Sequence, residues 1–278
     1  MLMSNLTYPP LQLARLQNGW STHSQATTPL GIQYVAECES TNAQLYSSTR
    51  QHNTLLVTER QSHGKGQFER AWVSVAGDLI FSLGLTLPLA QLPALSLRIG
   101  LALTQVFAQH SLSTQLKWAN DVIAQHPDTG QRGKLAGILV QSQPAHHGHA
   151  WVVIGVGVNV APRLLPQQIN ASAFAPIGLA QLAPQWSTPE AGAREALLIA
   201  LVDTILVHIE TAALNQDLPK LWNAHDIWRG QAVTLTDPQG AEHHGTAAGI
   251  APSGAYQVKL DSNGTLKAFV SGQLRARS

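Results

Sequence analysis

Two stretches of this chain carry charge where buried strands would be expected. Lys117 opens Lys-Trp-Ala-Asn-Asp (117–121), and Lys134 sits in Gly-Lys-Leu-Ala-Gly-Ile-Leu-Val-Gln (133–141). Both runs are short and apolar enough for β-strands. An ammonium withdrawn from water without a partner is costly, so each lysine needs an anion or a way out to solvent. Asp121 offers a carboxylate to one of them. For the other, either the stem snorkels to the surface at a strand end or an anionic ligand takes the ammonium.

A second concentration is Arg60–Trp72, Arg-Gln-Ser-His-Gly-Lys-Gly-Gln-Phe-Glu-Arg-Ala-Trp. Gly64 and Gly66 let backbone N–H groups converge on a phosphate, and Lys65 and Arg70 add positive charge. The GxxxxGK[ST] spacing is absent, so this is not a Walker A loop. Taken alone, a solvated turn accounts for it. Taken with Lys117 and Lys134, it points to an anionic, phosphate-bearing ligand. Gly155-Val-Gly-Val-Asn159 is a third feature, because glycine weakens a strand unless something must come close. A ligand, another backbone or a packed helix would each explain it, and Asn159 adds an amide within reach. Trp72 and Trp118 adjoin these motifs and can wall a pocket, although core filling is the ordinary role of a single aromatic.

The rest of the chain bounds what such a site could serve. Hydrophobic residues are 44% and charged residues 12%, enough apolar material for a substantial core. A net charge of +1 lacks the basic excess of a general nucleic-acid binder. Cys38, the single cysteine, excludes an intramolecular disulfide and reads as a buried, unreactive thiol in a reducing compartment. His146, His147 and His149 have no cysteine or acidic neighbour to complete a metal site. The apolar stretches 150–161 and 196–209 are too short to span a bilayer, and no secretion leader is apparent. A soluble cytoplasmic protein is expected.

The elements that must position these residues follow from pattern. Strands are expected at Gly31–Glu39, Thr54–Glu59, Asp78–Leu87, Gln115–Ala124, Gly133–Ser142 and Ala150–Val160, the last two as a hairpin. Helices are expected at Pro10–Leu16, after the N-capping run Ser40-Thr41-Asn42, at Leu95–His110, at Pro189–Ala213 and around Pro219–His225. From Asp226 onward, short strands alternate with Pro-Gln-Gly, Pro-Ser-Gly and Ser-Asn-Gly turns, the rhythm of a small β-barrel. The division is a lead-in (1–30), a large domain (31–225) and a small one (226–278).

In order and content, Glu39-Ser-Thr-Asn42, the Gly64–Trp72 loop, Lys117–Asp121, Gly133–Gln141 and Gly155–Asn159 resemble the motifs of the biotin protein ligase family. The resemblance spans about residues 34–275. It implies an α+β fold: a mixed sheet packed with helices, of the class II synthetase-like biotin/lipoate ligase kind, plus a C-terminal SH3-like barrel. It implies two reactions. Biotin's carboxylate attacks the α-phosphate of Mg-bound ATP, giving biotinoyl-5′-AMP and pyrophosphate. A lysine of a biotin carboxyl carrier domain then takes the biotinoyl group and releases AMP.

By the same resemblance, Ser40, Thr41, Asn42 and Gln61 contact the biotin head group, and Lys65, Gly66 and Gln67 close over the ligand. Lys65, Arg70, Trp72, Lys117, Asn120, Asp121 and Asn159 serve ATP, no direct Mg2+ ligand being assigned. Lys134 contacts carboxylate and α-phosphate and, with Arg70, forms the catalytic pair. The family's loop carries arginines where Lys65 and Gln67 stand and glycine where Glu69 stands, so this loop has one positive charge fewer and one negative charge more. A weaker hold on the adenylate follows. Ala119 replaces a proline. About 33 residues precede the matching region, too few for the DNA-binding domain of some members, so no nucleic-acid partner is expected. A monomer or weak homodimer is expected. The competing readings are a lipoate–protein ligase and a biotin-binding protein with weakened catalysis.

Overall fold

The computed structural model describes residues 8–49, 51–67, 70–163, 174–211 and 213–277, without the side chains of 213–216. Strands β1 (Gly31–Cys38), β2 (Thr54–Gln61), β3 (Leu79–Pro88), β4 (Thr114–Lys117), β5 (Asp121–Gln125), β6 (Arg132–Pro144) and β7 (His149–Val158) form one sheet. Its spatial order is β1-β2-β3-β7-β6-β5-β4, with β1 and β2 parallel and every other pair antiparallel.

Period-2 alternation divides the central strands between two faces. Leu55, Val57, Phe81, Leu83, Ile154 and Val156 point into the main core, with α1 (Leu13–His23), α3 (Leu95–Gln109) and α5 (Ala193–Glu210). The opposite face carries a smaller apolar cluster of Leu45, Leu56, Trp151 and Val153. Leu45 belongs to α2 (Thr41–Tyr46), whose start is capped by Ser40 accepting from the Ala43 N–H at 3.3 Å. Burial on both sides explains why β3 reads as a nearly continuous apolar run.

Beyond the short α4 (Leu179–Leu182) and α5, α6 (Ala213–His225) leads into a five-stranded antiparallel sheet. Its order is β11 (Leu266–Phe269), β10 (Tyr256–Leu260), β9 (Glu242–Ile250), β8 (Ala232–Thr236), β12 (Gln273–Ala276). The tight turn before β10 places Gly254 at φ 83°, a conformation side chains disfavour. This unit is fastened to the first sheet. The Ile227 N–H bonds the Leu116 carbonyl at 3.0 Å, and Trp118 Nε1 donates to Gly254 O at 3.2 Å while its ring meets Tyr256 at 5.5 Å.

Three expectations need correction. Gln115–Ala124 is not one strand. It is a tight hairpin, β4 and β5, that turns through Trp118-Ala119-Asn120 and sets Lys117 opposite Asp121. The first helix runs over Leu13–His23 rather than Pro10–Leu16, since Pro9 and Pro10 cannot donate backbone N–H bonds and the Leu11 N–H goes instead to Glu59. The last helix before the small sheet begins at Ala213, with Pro219 inside it.

Candidate active site

The site lies on the face of the sheet opposite the main core. Strand register places Ser82, Gly155 and Leu139 in one row across β3, β7 and β6, and Ile80, Gly157 and Gly137 in the next. Glycine at three of these six positions sinks a trough into the sheet. What comes close is neither backbone nor helix but two side chains. A Cβ on Gly155 would overlap the Asn42 amide, and one on Gly157 would overlap the Trp72 indole. A Cβ on Gly137 would also lie 2.8 Å from the Trp72 ring. The indole therefore rests flat on a glycine floor, with Lys134 Nζ 5.3 Å from its centroid.

At one end of the trough a polar cluster interrupts the apolar face. Ser40, Thr41, Asn42 and Ser82 are all buried. Gln61 Oε1 accepts from the Thr41 backbone N–H at 2.7 Å and lies 3.0 Å from Thr41 Oγ1. Ser82 Oγ lies 2.7 Å from Thr41 Oγ1 and 2.6 Å from Asn42 Oδ1. The Asn42 amide nitrogen donates to Gln141 Oε1 at 3.1 Å and Leu139 O at 3.3 Å.

The other end is cationic. Lys134 Nζ is 2.6 Å from Asp121 Oδ1, and Lys117 Nζ is 3.6 Å from Asp121 Oδ2. Asp121 thus serves both lysines rather than one. Burial pushes the Lys117 ammonium below its ordinary pKa, with Asp121 opposing that shift and Lys134 adding to it. Arg70 reaches the small sheet, Nη2 donating to Gln273 Oε1 at 3.1 Å. Thr236, Gln273, Leu274 and Arg275 complete this hollow together with Gly66, Gln67, Arg70, Lys117, Asn120, Asp121 and Lys134. The loop is closed by its own backbone, Gly66 N to Arg70 O at 2.7 Å and Trp72 N to Gly64 O at 2.8 Å. Phe68 and Glu69 lie outside the described residues.

The structure brings together on these walls Ser40, Thr41, Asn42, Gln61, Lys65, Gly66, Gln67, Arg70, Trp72, Lys117, Asn120, Asp121 and Lys134. Asn159 stands apart. It is 3% exposed, donates to the Lys134 carbonyl at 2.9 Å and accepts from Arg163 Nη2 at 2.6 Å. Both ends of its amide are engaged, so it braces the strand bearing Lys134 instead of facing a nucleotide. Arg163 in turn pairs with buried Asp78. Burial alone would raise the Asp78 carboxyl, as it does on balance despite Arg163 and two backbone donors. Sequence reasoning missed Ser82, Gln141 and the wall contributed by the small sheet. A serine inside the apolar run Leu-Ile-Phe-Ser-Leu was the available signal for the first.

A polar pocket joined through Lys134 to a cationic hollow is an arrangement able to bring two anionic groups together. Residues 34–159 match the model of the biotin/lipoate A/B protein ligase family. It is 28% identical over 256 residues to the biotin–[acetyl-CoA-carboxylase] ligase of Mycobacterium tuberculosis, covering 87% of this chain and 88% of that one. The enzyme of the same description from Paracoccus denitrificans is also 28% identical, with 81% and 92% covered. The fold is similar to that of the biotin protein ligase from Aquifex aeolicus, solved in complex with biotin and ATP. The TM-score is 0.70 and the identity 22%, over 89% of this chain and 99% of that one.

Proposed function

We propose that this protein is a biotin–[acetyl-CoA-carboxylase] ligase: it joins biotin to AMP at the expense of ATP and passes the biotinoyl group to a lysine of a biotin carboxyl carrier domain. The observation that carries this reading is the position of Lys134, on the wall shared by the polar pocket and the cationic hollow. A carboxylate entering from one side and an α-phosphate from the other repel, and an ammonium between them offsets that repulsion most where charge builds up in the transition state.

The chain's own groups divide the work. The Ser40–Thr41–Gln61 cluster holds a polar ring, and the indole of Trp72 with Leu139 offers an apolar channel for the acid's alkyl chain. Lys117, Arg70 and Arg275 face the phosphates. Lys134 leaves Asp121 for the incoming anions, and its ammonium remains to steady AMP as it departs in the second step. Asp121 is the one carboxylate among the described residues of these walls, and no described group of three His, Cys, Asp or Glu side chains could cage a metal ion. This suits Mg2+ that enters on the nucleotide, held by phosphates and water with at most one protein carboxylate. Bound so, it would neutralise phosphate charge. None of the described helices is long and apolar enough to cross a membrane. A cytoplasmic location is part of the same proposal, since ATP and a carrier domain are its substrates.

Pyrophosphate exchange into ATP, run with biotin and with lipoate in parallel, tests the reading. Biotin-dependent exchange followed by labelling of a carrier domain is expected. Exchange with lipoate alone would make it a lipoate ligase, and biotin binding without exchange would make it a binding protein whose catalysis has lapsed.

A further inference from the structure

We infer that Ser82, a buried serine behind the pocket lining, fixes the proton direction of the head-group pocket and thereby selects a ring that donates N–H bonds; this rests on the biotin reading above. Ser82, Thr41, Asn42 and Gln61 share three close oxygen–oxygen approaches: 2.6 Å between Ser82 and Asn42 Oδ1, 2.7 Å between Ser82 and Thr41, and 3.0 Å between Thr41 and Gln61 Oε1. Each hydroxyl carries one proton, so two protons must serve three contacts. The longest is the cheapest to leave bare, and Gln61 Oε1 already holds the Thr41 backbone N–H at 2.7 Å.

The orientation of the Asn42 amide decides the remaining two. Its nitrogen is committed to Gln141 and the Leu139 carbonyl, so the atom facing Ser82 is an acceptor and must receive Ser82's proton. Thr41 must then donate to Ser82. The relay runs Thr41 to Ser82 to Asn42 to Gln141, and none of its hydroxyls can reverse without setting two lone-pair-bearing oxygens face to face at 2.6–2.7 Å.

The consequence reaches the ligand. With its proton spent inward, Thr41 Oγ1 shows the pocket only lone pairs and so asks for an N–H. Ser40 Oγ accepts from Ala43, which leaves its own proton to donate outward, and Gln61 keeps its Nε2 donors beside Gly64. One acceptor flanked by donors matches a cyclic urea, which offers N–H and C=O together. A dithiolane ring offers neither, and its entry would strand these buried groups, the situation in which binding sites discriminate most strongly. Ser82 is thus a positioning residue, and it leaves Lys134 and the phosphate end untouched.

Calorimetric titration of the full-length protein with biotin, and with biotin methylated on the ureido nitrogens, tests this. In the parent, methylation is expected to weaken binding by about a hundredfold, roughly the scale of one unmatched buried polar group. In Ser82→Ala the Thr41 hydroxyl is released from its inward contact, free to turn to Gln61 Oε1 at 3.0 Å or outward to the ligand. Biotin affinity should fall about five- to tenfold, the worth of one net hydrogen bond, and the methylation penalty should shrink several-fold, with KM for ATP unchanged. Ser82→Cys, nearly the same size and a weak donor, should fall between the two and serves if the alanine variant does not fold. Equal losses for biotin and its methylated form, or an unaltered biotin affinity, would overturn the relay. Parent protein that binds lipoate and ignores biotin would instead overturn the functional reading beneath it.

Discussion

Lys134 Nζ and Asp121 Oδ1 stand 2.6 Å apart across two neighbouring strands, and Lys117 holds the other carboxylate oxygen. One carboxylate between two ammonium groups leaves a surplus positive charge pointing into the hollow. That surplus is what a phosphate meets. The ion pair also holds Lys134 in place before any ligand arrives, and binding exchanges Asp121 for the incoming anions.

Replacing Lys134 by alanine is expected to lower the rate of biotin-dependent pyrophosphate exchange about 10²–10³-fold, the range for removing one preorganised electrostatic contact. Asp121 retains Lys117, so the thermal midpoint should barely move. Lys134→Arg should not restore the rate, because the broad guanidinium cannot reproduce a point charge above the Trp72 ring. Undiminished exchange in the alanine variant would remove Lys134 from the reaction.

Gly157 is required by geometry, because no side chain fits beneath the Trp72 indole. Alanine suits a strand better than glycine and should not harm the sheet itself. Gly157→Ala is therefore expected to weaken biotin binding by at least about tenfold by lifting the indole into the trough, while urea denaturation shows little loss. A variant that binds biotin normally would show that the ring can shift without consequence.

Much of this site was readable in residue types because buried charge and mid-strand glycine both demand an explanation. Lys117, Lys134 and the 155–157 glycines announced themselves on those grounds, and the polar run at Ser40–Asn42 announced a helix cap. What the sequence could not supply was partnership across the sheet. Whether Gly155 accommodates a ligand or Asn42 depends on register between β3, β7 and β6, which no local pattern encodes. Asn159 looked like a ligand-facing amide because an exposed and an internally satisfied asparagine are identical in sequence. The 117–121 hairpin was missed for a related reason: its turn is three residues without glycine, so the apolar run looked unbroken. The small sheet's wall depends on residues about 200 positions away from Arg70, Gln273 among them.

The junction between the two sheets makes a separate prediction. Burial raises the Asp226 carboxyl above its ordinary value, although Trp228 N–H and Tyr256 O–H both donate to it. A carboxyl whose folded pKa is raised binds protons more readily folded than unfolded. Stability therefore falls as pH climbs from the unfolded value near about 4 through the raised folded one. Asp226→Asn keeps the shape and removes that dependence. Its thermal midpoint, measured against the parent, should be more favourable at pH 8 than at pH 4, and a difference independent of pH would contradict the assignment.

The last prediction concerns Gln67, which lines the cationic hollow beside Arg70 at a position where the resemblance expects arginine. A neutral amide there leaves the departing mixed anhydride one charge-assisted hydrogen bond short, and such bonds are about twice as strong as neutral ones. Gln67→Arg is accordingly expected to slow release of biotinoyl-AMP from the enzyme about tenfold, close to the value of one hydrogen bond to a charged group. Because the added attraction is partly exposed, the gain should diminish as salt is raised from 50 to 500 mM, roughly the range over which the Debye length falls from above 10 Å to below 5 Å. Stopped-flow measurement of adenylate dissociation reads this directly. An arginine variant that releases the adenylate as fast as the parent at low salt would mean that the side chain at position 67 points away from the phosphate, and that the loop's missing charge has no bearing on retention.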